Sequence, residues 1–564
     1  MMRVLVEWQD VTFTYKHADS PSVDQFNLTI AAGDFVLITG STGCGKSTLL
    51  KMLNGLIPEE SGGALTGTVL VDGQDTRNLT VSQLSRTVGM VFQSPDDQIF
   101  STTVYDETAF ILENMGMPAA DINLRVDEAL ALVGMLNKRE ASVHALSGGQ
   151  KQRLAVASVL AARPRILALD EPISQLDPQG ATELLAVLEK VNREFGITII
   201  LVEHRLHEVM PLCNRVVVMD GGHLLWEGTR EAAFGCPELF ADHGLRVPQP
   251  VDICRRLGIV ASSAGIEEAV CAIRQRYHVQ SVAETACSLV VAGQGAKPAI
   301  EVQKLSFWYE RSGKPVLDNI DLFIPRGQFV ALMGNNGAGK STLLQQVGGL
   351  LTPQQGQVRV LGQPLAAVRR QVGMVLQNPD LMLFNSTVAE EVAFAACQQH
   401  RHSGLTPYCR ELLLKMGLTG REEEFPLALS RGQRLRLALA AVLSCRPAVL
   451  LLDEPTTGQD IGHIEDIIIL LKDYVAQGGT VVFCTHDTEV AACHADRVIV
   501  LCQGRLSADG PPAVIFSQED MLRQAGLKPP AALLVAQSLY GGVAMGVEEV
   551  VQYVRQGCLG SNAG

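Results

Sequence analysis

Short, unbroken apolar runs punctuate the chain, each closed by glycine or by acidic residues. In the first half these are "GDFVLITG" (33–40), "RILALDEP" (165–172), "ITIILVEH" (197–204) and "RVVVMDGG" (215–222). Runs of this length rich in Val, Ile and Leu, without polar alternation, predict strands buried on both faces. Longer stretches of helical pattern separate them, so the predicted fold class is α/β, with a mainly parallel sheet covered by helices.

The same succession is written twice. The offset between matching residues is 294 for Lys46 and Lys340, 284 for Gln93 and Gln377, and 283 for both Ser147/Ser430 and Asp170/Asp453. The one large step is a surplus in the first half, where "EESGGALTGT" (59–68) reads as a surface loop. The repeat continues to the end of each half: "HGLRVPQPVDICRRL" (243–257) matches "AGLKPPAALLVAQSL" (525–539). A tandem duplication follows. Its expected parts are a first domain at 1–235 with an extension at 236–277, a linker at 278–299, and a second domain at 300–516 with an extension at 517–564.

Composition narrows the function. A net charge of −14 without any basic run argues against nucleic acid as partner, because phosphate binding draws on clustered Lys and Arg. Thirteen scattered cysteines, odd in number and without CxxC, suit reduced thiols better than a disulfide framework. The longest uncharged stretch, 529–547, is broken by paired Pro and paired Gly and is not expected to span a membrane. Any membrane role is therefore expected to come through partners.

The chemistry lies in motifs that recur in both halves. GxxxxGK[ST] occurs as Gly40-Ser41-Thr42-Gly43-Cys44-Gly45-Lys46-Ser47, followed by Thr48, and as Gly334-Asn335-Asn336-Gly337-Ala338-Gly339-Lys340-Ser341, followed by Thr342. Its glycines let backbone N–H groups turn inward on phosphate at a helix N-terminus. Lys46 and Lys340 are expected on the β and γ phosphates, and Ser47 and Ser341 on Mg²⁺. A later strand in each half ends in adjacent carboxylates, Asp170-Glu171 and Asp453-Glu454. Successive strand residues point to opposite faces, so the Asp suits Mg²⁺ through water and the Glu suits the attacking water. His204 and His486 follow the next apolar strand at matching positions, where a γ-phosphate role is expected.

With "LSGGQ" at 146–150 added, both halves resemble ATP-binding-cassette (ABC) ATPases along nearly the whole chain. The resemblance implies two P-loop ABC-type nucleotide-binding domains, each with a helical subdomain and a short helical extension, using ATP and Mg²⁺. It implies adenine stacking on Tyr15 and Tyr309, and Mg²⁺-sensing by Gln93 and Gln377. Asp177 and Asp460 resemble the family's interface aspartates. It also implies an intramolecular pseudo-dimer. In it Ser430, Arg431, Gly432 and Gln433 would complete the ATP site of Lys46, and Ser147, Gly148, Gly149 and Gln150 that of Lys340. Arg431 stands where the first copy has Gly148, and the expectation is two competent but unequal sites.

The stretches "VFQSPDDQIFSTTVYDETAF" (91–110) and "VLQNPDLMLFNSTVAEEVAF" (375–394) resemble the ATPases of energy-coupling factor (ECF) vitamin and cobalt-type importers. That resemblance implies a peripheral protein on the cytoplasmic face of the bacterial membrane, driving uptake through a membrane scaffold subunit and a substrate-binding membrane subunit. Asp96, Asp97, Asp106, Glu107, Asp380, Glu390 and Glu391 are expected to suit basic residues on the scaffold's helices. The rival readings are a tandem-cassette ATPase acting on ribosomes and the ATPase of a sugar importer. The first predicts a long basic linker, and the second a cassette with degraded catalytic residues.

Overall fold

The computed structural model describes residues 3–559 except 17, 19, 175, 262, 280–296, 310–312, 401–404 and 457–458. Most of the expected linker at 278–299 therefore lies outside the described residues. The chain divides into two compact units, residues 1–273 and 274–564. Each pairs a four-stranded sheet with a six-stranded one.

In the first unit the six-stranded sheet runs, edge to edge, His223–Thr229, Arg215–Asp220, Phe35–Gly40, Thr198–Val202, Ile166–Asp170 and Val88–Val91. Only the first of these pairs antiparallel with its neighbour. In the second unit the same order places Phe329–Met333 between Thr480–Cys484 and Arg497–Cys502, with Val449–Asp453 and Val372–Val375 beyond. Apolar residues occupy both faces of these strands because both faces are covered. In the second unit Val330 and Leu332 pack with the antiparallel sheet. Their chain neighbours Phe329, Ala331 and Met333 pack with the helices on the opposite side.

The parallel strands set up the chemistry. Residues at the carboxyl ends of neighbouring parallel strands share one rim, where α/β sheets place their ligand sites. Gly40, Asp170 and Val202 end three adjacent strands, with Asp170 and Ile38 on either side of Val202 and Gly40 two residues further on. Asp453 lies opposite Cys484 in the same way.

A helical region follows in each unit: Val104–Asn114, Ala119–Leu132 and Gly148–Ala161 in the first, Val388–His400, Pro407–Lys415 and Arg431–Ser444 in the second. The extensions form the helices Gln249–Arg256 and Ile266–Arg276, and Ala531–Tyr540 and Val547–Leu559. No helix among the described residues is long and apolar enough to cross a membrane. The surplus segment at 59–68 is only partly loop. Its second half enters the strand Ala64–Val71, which pairs with Val4–Thr14 through Thr14 opposite Ala64. Its small and glycine-rich residues hid a strand end that backbone pairing, not side-chain pattern, stabilises.

Candidate active sites

Each phosphate loop leaves a central strand and enters a helix, Lys46–Leu53 or Lys340–Gly348. The glycine before the lysine is required in both. Gly45 has φ +100, and a Cβ there would meet the Ser22 carbonyl oxygen at 2.2 Å; Gly339 has the same φ and faces Val316 O at 2.8 Å. The lysines fold over the loop: Lys46 Nζ donates to Gly40 O and Ser41 O at 2.9 and 2.8 Å, and Lys340 Nζ to Gly334 O and Asn335 O at 2.7 and 3.1 Å. Tyr15 Oη lies 3.1 Å from Thr48 Oγ1, and Tyr309 Oη 3.2 Å from Thr342 Oγ1, so each tyrosine is tied to its phosphate-loop helix.

The strands end at Asp170 and Asp453, so the expected strand alternation does not reach Glu171 and Glu454; a left-handed turn after each Asp parts the carboxylates instead. Asp170 and Asp453 turn toward the loop serines, Ser47 and Ser341. Burial, then the Glu171 charge, pushes Asp170 up to about 6; burial raises Asp453 as well. Asp170 Oδ1 and Asp453 Oδ1 are buried without a hydrogen-bond partner. A buried carboxylate oxygen with no donor, beside a serine hydroxyl and the phosphate loop, fits a Mg²⁺ ion, which binds through one or two carboxylates, substrate phosphates and water. No group of three His, Cys, Asp or Glu among the described residues is placed to hold a metal alone.

Glu171 and Glu454 adopt φ +48 and +56, a left-handed backbone that non-glycine residues adopt at a cost. The turn aims each carboxylate at its histidine. Glu171 Oε1 lies 3.3 Å from His204 Nε2, while Glu454 Oε2 lies 2.7 Å from His486 Nδ1. Burial alone would raise the Glu171 carboxyl, but His204, Lys46 and Gln93 together hold it below the ordinary range. These neighbours favour its ionised form. Gln93 Nε2 donates to Glu171 Oε2 at 2.8 Å, joining the glutamine to the carboxylate. Gln377 is exposed and reaches no such partner.

Both "LS" motifs end in capping boxes. Ser147 Oγ accepts the Gln150 N–H and Gln150 Oε1 the Ser147 N–H, and Ser430 and Gln433 do the same. Arg431 begins the helix Arg431–Ser444. A Cβ on Gly148 would meet nothing within 4 Å, so a side chain at that position starts in open space. The following glycine is tighter. A Cβ on Gly149 would lie 3.3 Å from Leu176 Cδ2, and one on Gly432 3.0 Å from the Gln459 amide. Asp177 and Asp460 cap the next helix, accepting from Gly180 and His463 N–H.

Sequence reasoning passed over Glu203. It is buried at the end of its strand, with Oε1 accepting the Ile173 N–H at 2.9 Å and Oε2 the His204 N–H at 3.1 Å. Burial and the Glu171 charge push it up to about 8, against those N–H groups and Arg205. Thr485 holds the matching place and instead accepts from the Asp487 N–H. The available signal was an acid directly before the histidine in one copy only.

Two of the seven acids expected on the docking face, Glu107 and Glu391, are corrected; Asp96, Asp97, Asp106, Asp380 and Glu390 are exposed. Glu107 and Glu391 are buried, and they accept the backbone N–H groups of Phe100 and Ser101 and of Phe384 and Asn385. Asp96 pairs with Lys151, Asp380 with Arg434, and Asp106 accepts from Thr103. Glu107 and Glu391 hold the bend itself, because its N–H groups lack partners within a strand or helix. The bend also presents aromatic rings outward: Phe100 and Phe110 meet edge to face at 4.5 Å, and Phe384 and Phe394 at 5.0 Å, all exposed. In the second unit this pair lines a cleft of about 310 Å³ with Met374, Met382, Val442 and Pro447.

A glycine-rich loop at the carboxyl end of a parallel strand, beside a strand-end Asp-Glu pair and a histidine, defines a P-loop ATPase, present here twice. A family profile described as ABC transporter matches residues 23–174 and 317–457. A provisionally named ABC transporter ATP-binding protein of Methanosarcina acetivorans is 42% identical, over 98% of this chain and 91% of that protein. Similarly named proteins of Methanosarcina mazei and Streptomyces avermitilis are 42% and 37% identical, over 97% and 91% of this chain and 96% and 94% of theirs. CbiO1 of Clostridium perfringens, described as part of the ABC transporter complex CbiONQ, is 31% identical over 40% of this chain and 94% of its own, with a TM-score of 0.36. The chain belongs to the ABC transporter family, as a tandem ATP-binding protein whose domains hydrolyse ATP in transport.

Proposed function

We propose that this chain is the ATP-hydrolysing subunit of an ECF-type importer, acting on the cytoplasmic face of the membrane through separate membrane subunits. The observation that carries the reading is the bend after each glutamine. Its sequence resembles that of the importer ATPases, and it offers an exposed phenylalanine pair in both units, close in the chain to the glutamines. Short apolar helices of a membrane scaffold fit such a surface, the phenylalanines supplying large contact area. The scaffold would be shared with a substrate-binding membrane subunit that sets the solute, a vitamin, vitamin precursor or metal ion.

At the first site Lys46 and the loop N–H groups hold the β and γ phosphates. Ser47, Gln93 and Asp170 would hold Mg²⁺, which neutralises phosphate charge when bound. Glu171 accepts a proton from the water attacking the γ-phosphorus, while His204 holds the carboxylate in place. The bond from the γ-phosphorus to the bridging oxygen breaks, leaving ADP and phosphate. Lys340, Ser341, Gln377, Asp453, Glu454 and His486 take these roles at the second site. In this reading the two units form an intramolecular pseudo-dimer, each site completed by the other's Ser147–Gln150 or Ser430–Gln433 segment.

Purification of the tagged chain from membranes tests the partner reading. Recovery of a polytopic scaffold, lost when Phe100 and Phe384 are both changed to Asp, is expected. Recovery of ribosomes in its place would overturn it.

A further inference from the structure

The first unit contains a cleft of about 400 Å³ away from the phosphate loop, between helices Ala119–Leu132 and Pro178–Phe195 and the end of Gly148–Ala161. Its size is that of a small-molecule site. The floor is apolar and buried, formed by Ala129, Leu160, Ala161, Val191 and Ile197. Phe195, 55% exposed, stands among the lining residues.

The polar lining carries an excess of positive charge. Arg125, Arg163 and Lys190 line the cleft against one carboxylate, Glu128, which already pairs with Arg163 at 2.6 Å. Arg125 spends one N–H on the Ala161 carbonyl at 3.3 Å, and among the described residues Lys190 has no ion pair; the neighbouring Glu189 and Glu194 lie toward Arg193. Two cations are thus left over an apolar floor, in a chain whose net charge is −14. A nucleotide or other polyanion would leave its polar groups unsatisfied on that floor, and a neutral apolar molecule would make no use of the cations.

The second unit treats the matching place differently. Tyr408 replaces Arg125, Tyr474 replaces Val191 and Gly479 replaces Ile197. The Tyr474 ring lies over Gly479, where a Cβ would meet it at 2.3 Å, and its hydroxyl donates to the Pro447 carbonyl. Arg446, the counterpart of Arg163, lies over the Tyr408 ring at 4.3 Å. There the protein supplies its own aromatic filling and its own partner for the arginine.

We propose that the cleft of the first unit binds a small monocarboxylate with an apolar body, whose anionic head meets Arg125 and Lys190. Such a ligand bridges the helical region and the sheet's covering helix. Titration calorimetry of the full chain with decanoate below its micelle concentration tests this, with 1-decanol as the uncharged probe. Saturable decanoate binding is expected, with 1-decanol weaker by about tenfold or more, the worth of a charged hydrogen bond. Arg125→Gln/Lys190→Gln should weaken decanoate by a similar factor. Arg125→Tyr/Val191→Tyr/Ile197→Gly, which copies the second unit, should abolish binding while basal ATPase persists. Absence of saturable binding to the unaltered chain, equal binding of 1-decanol, or undiminished binding by a folded tyrosine variant would each overturn the proposal. None of these readouts involves membrane subunits, so failure of the importer reading leaves this test intact.

Discussion

The two units carry the same reacting groups in different supports. In the first, Glu171 is held from two sides, by Gln93 at 2.8 Å and His204 at 3.3 Å, with Glu203 buried behind the histidine. In the second, Glu454 meets the other ring nitrogen of its histidine at 2.7 Å, Gln377 stands exposed, and a threonine replaces the buried acid. Duplication kept the motif residues of the phosphate loop, the Asp-Glu pair and the histidine, and let the layer behind them diverge. The difference teaches that intact motifs do not make equivalent sites, since orientation and charge are set by neighbours.

The largest effect should come from removing each base. Glu171→Gln and Glu454→Gln are each expected to slow turnover at their own site by roughly 10²–10⁴-fold, read by single-turnover ATP hydrolysis. Wild-type turnover in the double variant would remove both glutamates from the mechanism. Next comes the asymmetric acid. Glu203→Thr, which imports the second unit's residue, should lower turnover at the first site by about tenfold, because the His204 N–H loses its acceptor. Thr485→Ala should do much less.

The same residue gives a pH test with a definite sign. Folding raises the Glu203 carboxyl from 4.5 to about 8, so the fold favours its protonated form. That contribution to stability is complete below pH 4.5 and is lost as pH rises through 8. Between these limits the melting temperature of the unaltered protein should fall relative to that of Glu203→Thr. Parallel melting curves across the window would show that burial does not hold the proton.

Smaller effects should separate the signature glycines. Gly148→Arg, which gives the first copy the second copy's residue, is expected to change ATPase rate by no more than a few-fold, since open space surrounds that position. Gly149→Val should cost more, because its Cβ starts 3.3 Å from Leu176. Smallest of all, Ser147→Ala and Ser430→Ala each remove one half of a capping box, for about 1 kcal/mol of stability by denaturant titration. A clear inequality between those two would reveal a further difference between the units.

Much of this was legible in the residues alone. The apolar runs marked the strands, GxxxxGK[ST] marked the loop where Gly45 and Gly339 tolerate no Cβ, and the near-constant offset marked the duplication. These are local properties: a turn needing positive φ, or a strand covered on both faces, constrains residues adjacent in the chain. Glu107 and Glu391 were expected to face basic residues of a partner because the stretch resembles importer ATPases. The structure turns them inward, since the bend's N–H groups needed acceptors.

What only the tertiary structure decided is which distant atoms share a space. It brought Gln93 to Glu171, set Glu203 against the Ile173 and His204 N–H groups, and left Asp170 Oδ1 and Asp453 Oδ1 without donors. It also opened a cleft in one unit where tyrosines stand in the other. The physical reason is that a sequence period reports which face of an element is buried. The neighbour across that face is chosen by strand order and helix packing, which the period does not contain.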